Sequence, residues 1–547
     1  MSKSAELLQQ GKTQELWQKC CGFIDLSMDE FMTIQQRLLL EQIELLKGCE
    51  LGSQVMRGAK PRNLKEFREQ VPLTTYEDYA PYLLEQREDV LPVKPIAWQR
   101  TSGRSGEYPC KWVPLSERMY RELGESMLAV MIFCTCTERG DIALREHDKV
   151  IYALAPRPYA SGIWAVRAEE EFPFDFLPPL AEAEEMSFQE RLEQGFKQAL
   201  SQGLDMFFGL SSILVAAGRR FGQGTGTKNI MPLLSKPRIL VKLIKALIKS
   251  KLAHRPILPK DLWSLKGIVA MGTDTSIYRE QVKEMWGRTP LDVYGCTEAN
   301  IIAMQTWDFQ GMAFVPHINL LEFIPEQEYL KWKADSGSQP DTVLLNEVKA
   351  GENYVVVITN FLGGPFVRYI IGDMVRITSL RNEELNINIP QMEFVSRADD
   401  MIDLAGFTRL TEKTVWQAME RTGLAYEDWT IRKETREKPV LHLYLELRER
   451  NGLNEAQVTA AIDRQLRELD GDYASLEDML KLQPLEVTLL PEGAFRAYIL
   501  KQQQAGADLG HLKLPHINPS DVMLDTLLKG APPVIPAAPP AEKVAIQ

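Results

Sequence analysis

Cysteine is scarce in this chain, with 7 among 547 residues. Cys20, Cys21, Cys49, Cys110, Cys134, Cys136 and Cys296 match neither a disulfide framework nor a CxxC metal pair. Histidine is scarcer still, at 6, and equally scattered, so no metal site can be read. A basic excess is missing too. The formal net charge is −12, the wrong sign for a chain acting as a whole on nucleic acid. No run of about 18 apolar residues occurs, so no membrane span is expected. The start, MSKSAELLQQGKTQELW, is polar and helical in character, unlike a signal peptide, and the cytoplasm is the expected compartment.

What remains is an ordinary globular composition, 45% apolar and 25% charged, in a chain long enough for two domains with a sizeable core. The first ninety or so residues have helical spacing. DEFMTIQQRLLLEQIELLKG repeats apolar residues at three- and four-residue steps and stops at Gly48. The middle alternates helical patterns with short β-rich runs, LKGIVAMG, LDVYG and NYVVVITNF, which predicts an α/β domain over 1–395. A polar junction over 396–406 suits a hinge. From 407 to 525 the pattern is that of a smaller α+β domain, with helices TEKTVWQAMERTG and NEAQVTAAIDRQLREL and strands PVLHLYLELRE and PLEVTLL. The Pro/Ala-rich end, 526–547, is expected to be disordered. One stretch runs against the acidic trend: KPRILVKLIKALIKSKLAHR (236–255) has seven Lys/Arg and no acid. It reads either as a basic amphipathic helix for an anionic surface or as a helix with one buried stripe and a solvated basic face.

The chemistry sits in four segments. WQRTSGRSGEYPCKW (98–112) packs glycines and hydroxyls into Thr101–Gly106, with Arg104 among them. Glycine lets backbone N–H groups approach phosphate oxygens and the hydroxyls add donors, although a surface turn has the same composition. It is not a Walker A loop, since Lys111 lies five residues past Gly106. LDVYGCTEAN places Tyr294, Thr297 and Glu298 just past a β run, where a ring can stack on a base, a hydroxyl can meet a phosphate and a carboxylate can hold Mg²⁺. PFVRYIIGDMVRI sets Asp373 after Gly372, at a hairpin turn between two β runs, and a carboxylate there can accept both hydroxyls of a ribose. VSRADDMIDLAGF carries Arg397, Asp399 and Gly406 at the composition change. Each has a plain alternative: Glu298 as a loop acid, Asp373 as a turn former, Arg397 and Asp399 as a surface ion pair.

Taken in order, a Ser/Thr/Gly loop, YGxTE, GD and RxDD resemble the signature of adenylate-forming enzymes. Within them the chain most resembles the auxin-responsive acyl-acid amido synthetases, as a bacterial-type member. VPLTTYEDYAPYL, LPVKPIAWQRTSGRSGE, LLEFIPEQE, LLNEVKAGENYVVVITNFLGGPFVRYIIGDMVRI and FVSRADDMIDLAGFTRLTEKT carry that resemblance. The RADD stretch also resembles phenylacetate–coenzyme A ligases.

The resemblance implies an α/β fold with a large N-terminal domain of mixed sheets and helices that binds ATP and the acyl substrate, and a smaller mobile α+β C-terminal domain carrying a catalytic lysine. It implies a ligase that uses ATP and Mg²⁺ to turn a small carboxylic acid into an acyl-adenylate. The acyl group would pass to an amine or amino acid; coenzyme A is the alternative acceptor, and a non-catalytic nucleotide- or acyl-binding relative the alternative of another class. Thr101, Ser102, Gly103, Ser105 and Gly106 would line the ATP phosphates, and Gly272, Thr273 and Asp274 the adenine pocket. Tyr294 would stack on adenine, Thr297 meet the α-phosphate, Glu298 hold Mg²⁺ and Asp373 hold the ribose with Arg368 and Arg397. Lys513, in GADLGHLKLPH, would reach the α-phosphate during adenylation. A monomer or weak dimer is expected. Arg104, Ile370 and His516 depart from the family pattern, His516 standing where plant members have arginine.

Overall fold

In a computed structural model the chain folds into two compact units, one within Met1–Asp399 and one beginning at Asp400. The structure describes residues 2–101, 110–222, 237–271, 275–334, 338–398, 402–404, 408–435, 439–449, 452–471, 473–474, 485–504 and 514–529.

The first unit begins with helices, and the longest shows why. Ser27 and Glu30 close a reciprocal capping box, and Met28–Lys47 then runs 20 residues to Gly48. Phe31, Leu38, Leu39, Ile43 and Leu46 form its buried stripe at helical spacing. The same face buries Gln35 and Gln42, two turns apart, which their polarity alone would place in solvent although their spacing puts them on the stripe.

Behind the helices lies one twelve-stranded sheet made of two lobes. In the first lobe Lys149–Ala153, Asp175–Phe176, Met206–Gly209 and Gly267–Ala270 run parallel to one another and to Leu291–Cys296. These strands are short and apolar on both faces because helices such as Glu117–Thr135 and Ala160–Glu171 pack against them. In the second lobe Asn319–Pro325, Asn353–Asn360, Tyr369–Ser379 and Gln391–Arg397 are antiparallel. The short strands Asn300–Met304 and Met312–Phe314 join the lobes. Leu291–Cys296 is thus the strand where pairing changes from parallel to antiparallel.

The second unit holds a three-stranded sheet, Tyr426–Thr435, Pro439–Leu447 and Leu485–Leu489, the last pair parallel. Helices Glu412–Thr422 and Glu455–Leu469 bury Val415, Met419, Val458 and Ile462 against one face with Trp429 and Leu443. Asn454 and Gln457 form a capping box at the start of Glu455–Leu469. A separate cluster around Tyr444 and Phe495 takes up Met523, Leu524 and Leu527.

Three sequence expectations change here. Tyr369–Ser379 is one strand rather than two runs around a turn, because Gly372, at φ +83°, lets it bulge instead of reversing. Gln391–Arg397 carries the sheet into the first two residues of the expected hinge, Arg397 being held opposite Asp373. Helix Asp521–Lys529 extends order past 525, since burying Leu527 outweighs the local composition.

His516 is buried in the second unit, Nδ1 2.7 Å from Glu412 Oε1 and Nε2 2.8 Å from Asp428 Oδ1, its ring stacked 4.5 Å from Trp429. Burial pulls its pKa down, but the Asp428 and Glu412 carboxylates outweigh burial and raise it to about 9. A folded-state pKa above the unfolded value stabilises fully below the unfolded pKa and is lost as pH rises through the folded one. Thermal unfolding followed by circular dichroism should therefore show wild type losing stability between pH 6.5 and 9, and His516→Gln losing much less over that window.

Candidate active site

The candidate site grows from the end of Leu291–Cys296. Thr297, Glu298 and Ala299 make a three-residue turn into Asn300–Met304. Gly295 just before it has no alternative, because a Cβ there would lie 2.2 Å from the Asn300 carbonyl oxygen. The turn's carbonyls point inward and must be satisfied. Asn360 Nδ2 donates to the Glu298 carbonyl at 3.0 Å, and Asn319 Nδ2 donates to the Ala299 carbonyl at 2.8 Å. Asn360 also donates to Asn319 Oδ1 at 2.9 Å, directly across the sheet. The long N-terminal helix braces both: Gln35 exchanges bonds with the Asn319 carbonyl and Leu321 N–H, and Gln42 with Gly363 and Gly364.

So held, the Glu298 carboxylate meets Lys111. Lys111 Nζ lies 3.2 Å from Glu298 Oε1 and 3.0 Å from Tyr369 Oη, and the Tyr369 hydroxyl donates to the same Oε1 at 3.2 Å. Burial pushes the Glu298 carboxyl up, but Lys111, a backbone bond and Arg397 together hold it below the usual range. Burial, with Glu298 beside it, keeps the Tyr369 phenol well above its ordinary value and therefore a donor. The ammonium also sits 4.9 Å from the Tyr76 ring centre.

Lys111 reaches this place because strands Ala97–Arg100 and Trp112–Leu115 form an antiparallel hairpin. At its mouth Thr101 N–H donates to the Lys111 carbonyl and Lys111 N–H to Thr101 Oγ1, both at 3.0 Å. Thr101 and Lys111, which bracket the hydroxyl- and glycine-rich segment in sequence, are thus tied to each other, and Lys111 to Glu298. Ser102, Gly103, Ser105 and Gly106, with Arg104, lie outside the described residues, as do Gly272, Thr273, Asp274 and Lys513.

A second group lies next to the first. Between the pairs Val355–Met374 and Val357–Ile370 one residue, Val356, faces three, Ile371, Gly372 and Asp373, a bulge that re-aims Asp373. Asp373 Oδ2 accepts from the Tyr294 hydroxyl at 3.0 Å, and Oδ1 lies 3.1 Å from Arg397 Nη1. Oδ1 is nonetheless buried without a hydrogen bond of good geometry. A buried acceptor left unmade is costly, and a ligand hydroxyl would satisfy it. Tyr294 is itself buried, with Phe394 6.0 Å from its ring centre, and burial followed by Asp373 keeps its phenol protonated. Arg397 acts on the charge of both Glu298 and Tyr294, so the two groups share one electrostatic field.

Arg368 is a correction. Its Nε and Nη2 donate to Glu322 at 3.1 and 2.9 Å, Nη2 also to Thr342 Oγ1, and Nη1 to the carbonyls of Arg68 and Val71. All five N–H groups are used, which leaves no donor for a nucleotide. Its partner Glu322 is the acid of the LEFIP motif, so that motif builds an internal ion pair. Lys111, Tyr369, Asn319 and Asn360 were missed in the sequence. Only Lys111 left a trace there, as a cation closing a phosphate-type loop.

Two outcomes test this geometry. Lys111→Met removes the charge that opposes burial, so the Glu298 carboxyl should titrate at higher pH than in wild type, read from its infrared carboxylate band with Glu298→Gln as the blank. Glu322→Gln leaves a buried guanidinium half paired and should lower unfolding free energy by about 3–5 kcal/mol in chemical denaturation.

Known proteins share this framework. An acyl acid amido synthetase, AtGH3.15, solved with 2,4-DB, superposes with a TM-score of 0.65 at 17% identity, covering 95% of this chain and 96% of that one. A 2-hydroxyisobutyryl-CoA ligase in its postadenylation state superposes at 0.52 and 15% identity, with 90% and 92% covered. In sequence, jasmonoyl–L-amino acid synthetase GH3.5 of Oryza sativa subsp. japonica is 25% identical over 263 residues, 45% of this chain and 44% of that protein. The 4-substituted benzoates–glutamate ligase GH3.12 of Arabidopsis thaliana is 29% identical over 233 residues, 39% and 38%. The chain thus spans less than half the length of these curated relatives. The GH3 family N-terminal, central and C-terminal domains match residues 20–153, 312–397 and 410–521. With all three domains present in order and together covering more than half of its length, this chain belongs to the GH3 family.

Proposed function

We propose that the chain is an ATP-dependent ligase that activates a carboxylic acid as its acyl-adenylate and passes the acyl group to the amine of an amino acid. The observation that carries this reading is the pairing of two acidic centres in one field. Glu298 is paired with Lys111, which follows the glycine- and hydroxyl-rich segment in sequence, and Asp373 Oδ1, with its unmade bond, shares the field of Arg397 with it. The names of the curated relatives, which join acids to amino acids, support the same reaction class.

The residues fit ATP and a phosphate-borne cation. Asp373, oriented by Tyr294 and Arg397, offers an acceptor to a ribose hydroxyl. Among the described residues no three His, Cys, Asp or Glu side chains cluster into a metal cage. Mg²⁺ needs none, since it commonly takes one or two carboxylates and completes its shell from phosphates and water. Glu298 would hold it, and the ion, once bound, would offset phosphate charge.

In the first step the acid's oxygen attacks the α-phosphorus and pyrophosphate leaves. In the second an amine nitrogen attacks the acyl carbon and AMP leaves. Lys111 brings a positive charge to the phosphate side, Thr101 and Thr297 bring hydroxyls, and the amide-braced turn keeps Glu298 from moving as charge develops. Lys513 would add a second ammonium for the adenylation step only, as in the reading from sequence.

Carboxylate-dependent exchange of labelled pyrophosphate into ATP, across a panel of acids, is the test. Exchange should appear with at least one acid. It should fall about 10²–10³-fold in Glu298→Gln and in Lys513→Ala. Lys513→Ala should still transfer from supplied acyl-adenylate. Amide from amino acids rather than thioester from coenzyme A identifies the acceptor. ATP binding without exchange for any acid would leave a binding protein and end the enzyme reading.

A further inference from the structure

The basic stretch noted in the sequence forms helix Pro237–Leu252, and its faces divide in an unexpected way. Ile239, Ala246 and Ser250 are its buried residues, on the stripe that packs on helices Phe188–Gln202 and Pro259–Leu262. The expectation of one buried apolar stripe accounts for those residues only. Leu240, Val241, Ile244, Leu247, Ile248 and Leu252 are all turned to solvent, between 44% and 76% exposed. They recur at three- and four-residue steps and so share one broad side of the helix. Six of the thirteen exposed large apolar side chains among the described residues are on this one helix. Single exposed apolar residues are ordinary, but a contiguous face of them is not.

The charges along this face are of one sign. Lys242, Lys245 and Lys249 follow one another at three- and four-residue steps along one border, Lys251 stands near the end, and the helix has no acid. The remainder of the chain carries the excess acid that brings the total to −12. We propose that this helix docks the protein on an anionic lipid surface, its apolar face in the headgroup–acyl boundary and its lysines at the phosphates. A helix lying in an interface has this layout, with an apolar face and lysine stems that snorkel from its edge. Charge decides against a second copy of the chain as occupant. Two such faces brought together would set lysine columns against each other, whereas lipid phosphates neutralise them. With 16 residues and lysines throughout, the helix lies on a bilayer rather than crossing it. Among the described residues no helix is long and apolar enough to cross one.

The docking surface is independent of the ligase chemistry, so its test is separate. Full-length protein is sedimented with vesicles of phosphatidylglycerol or of phosphatidylcholine, at low and high salt. Wild type should partition onto phosphatidylglycerol, much less onto phosphatidylcholine, and less at high salt. Lys245→Gln should cut the partition coefficient about fivefold, and Ile244→Ser/Ile248→Ser more steeply, with circular dichroism unchanged because these side chains are already exposed. Equal binding to both lipids, no binding to phosphatidylglycerol, or binding unaltered in both variants overturns the proposal. So does a concentration-dependent dimer in analytical ultracentrifugation that Ile244→Ser/Ile248→Ser dissolves while lipid binding is absent, which would make the face an interface between copies.

Discussion

The site depends on a turn whose carbonyls point into the protein. Thr297–Ala299 leaves the sheet where its pairing changes from parallel to antiparallel, and neither lobe's ladder supplies donors for it. Asn319 and Asn360 do so with side-chain amides, and Gln35 and Gln42 hold the backbone around them from the N-terminal helix. A buried amide left unpaired is expensive, so these four residues specify one arrangement of helix, strand and turn. Glu298 inherits its position from that network.

Once placed, the carboxylate faces a conflict between burial, which favours a proton, and Lys111, which favours the charge. Lys111 wins with help from Arg397. The neighbouring Asp373 is aimed by a bulge and aligned by Tyr294 and Arg397, with one oxygen short of a hydrogen bond. A fully satisfied pair would have no reason to accept a ligand. Arg368 and Glu322 are the counterexample nearby: equally buried, completely bonded, and structural.

Secondary structure was legible where a local signal existed. Gly48 marks a helix end in the sequence because helix termination is a matter of neighbours. The strand runs LDVYG and NYVVVITNF were visible as apolar β-branched stretches between turn residues. The Tyr369–Ser379 strand was not, since a glycine followed by an aspartate looks like a turn when the sheet around it is unseen. Tyr294, Glu298 and Asp373 could be singled out by type and order. That Tyr294 and Asp373 bond to each other could not.

By itself, then, the sequence determined the fold class, the family resemblance and the acids that the site contains, because each is written in short-range spacing. Tertiary structure alone decided that Lys111 pairs with Glu298, that Arg368 is consumed by Glu322, and that the basic helix shows its apolar face to solvent. These depend on contacts between residues up to 187 positions apart, or on what fails to pack against a helix. Periodicity records that a face is apolar, and only the packed chain shows whether anything covers it.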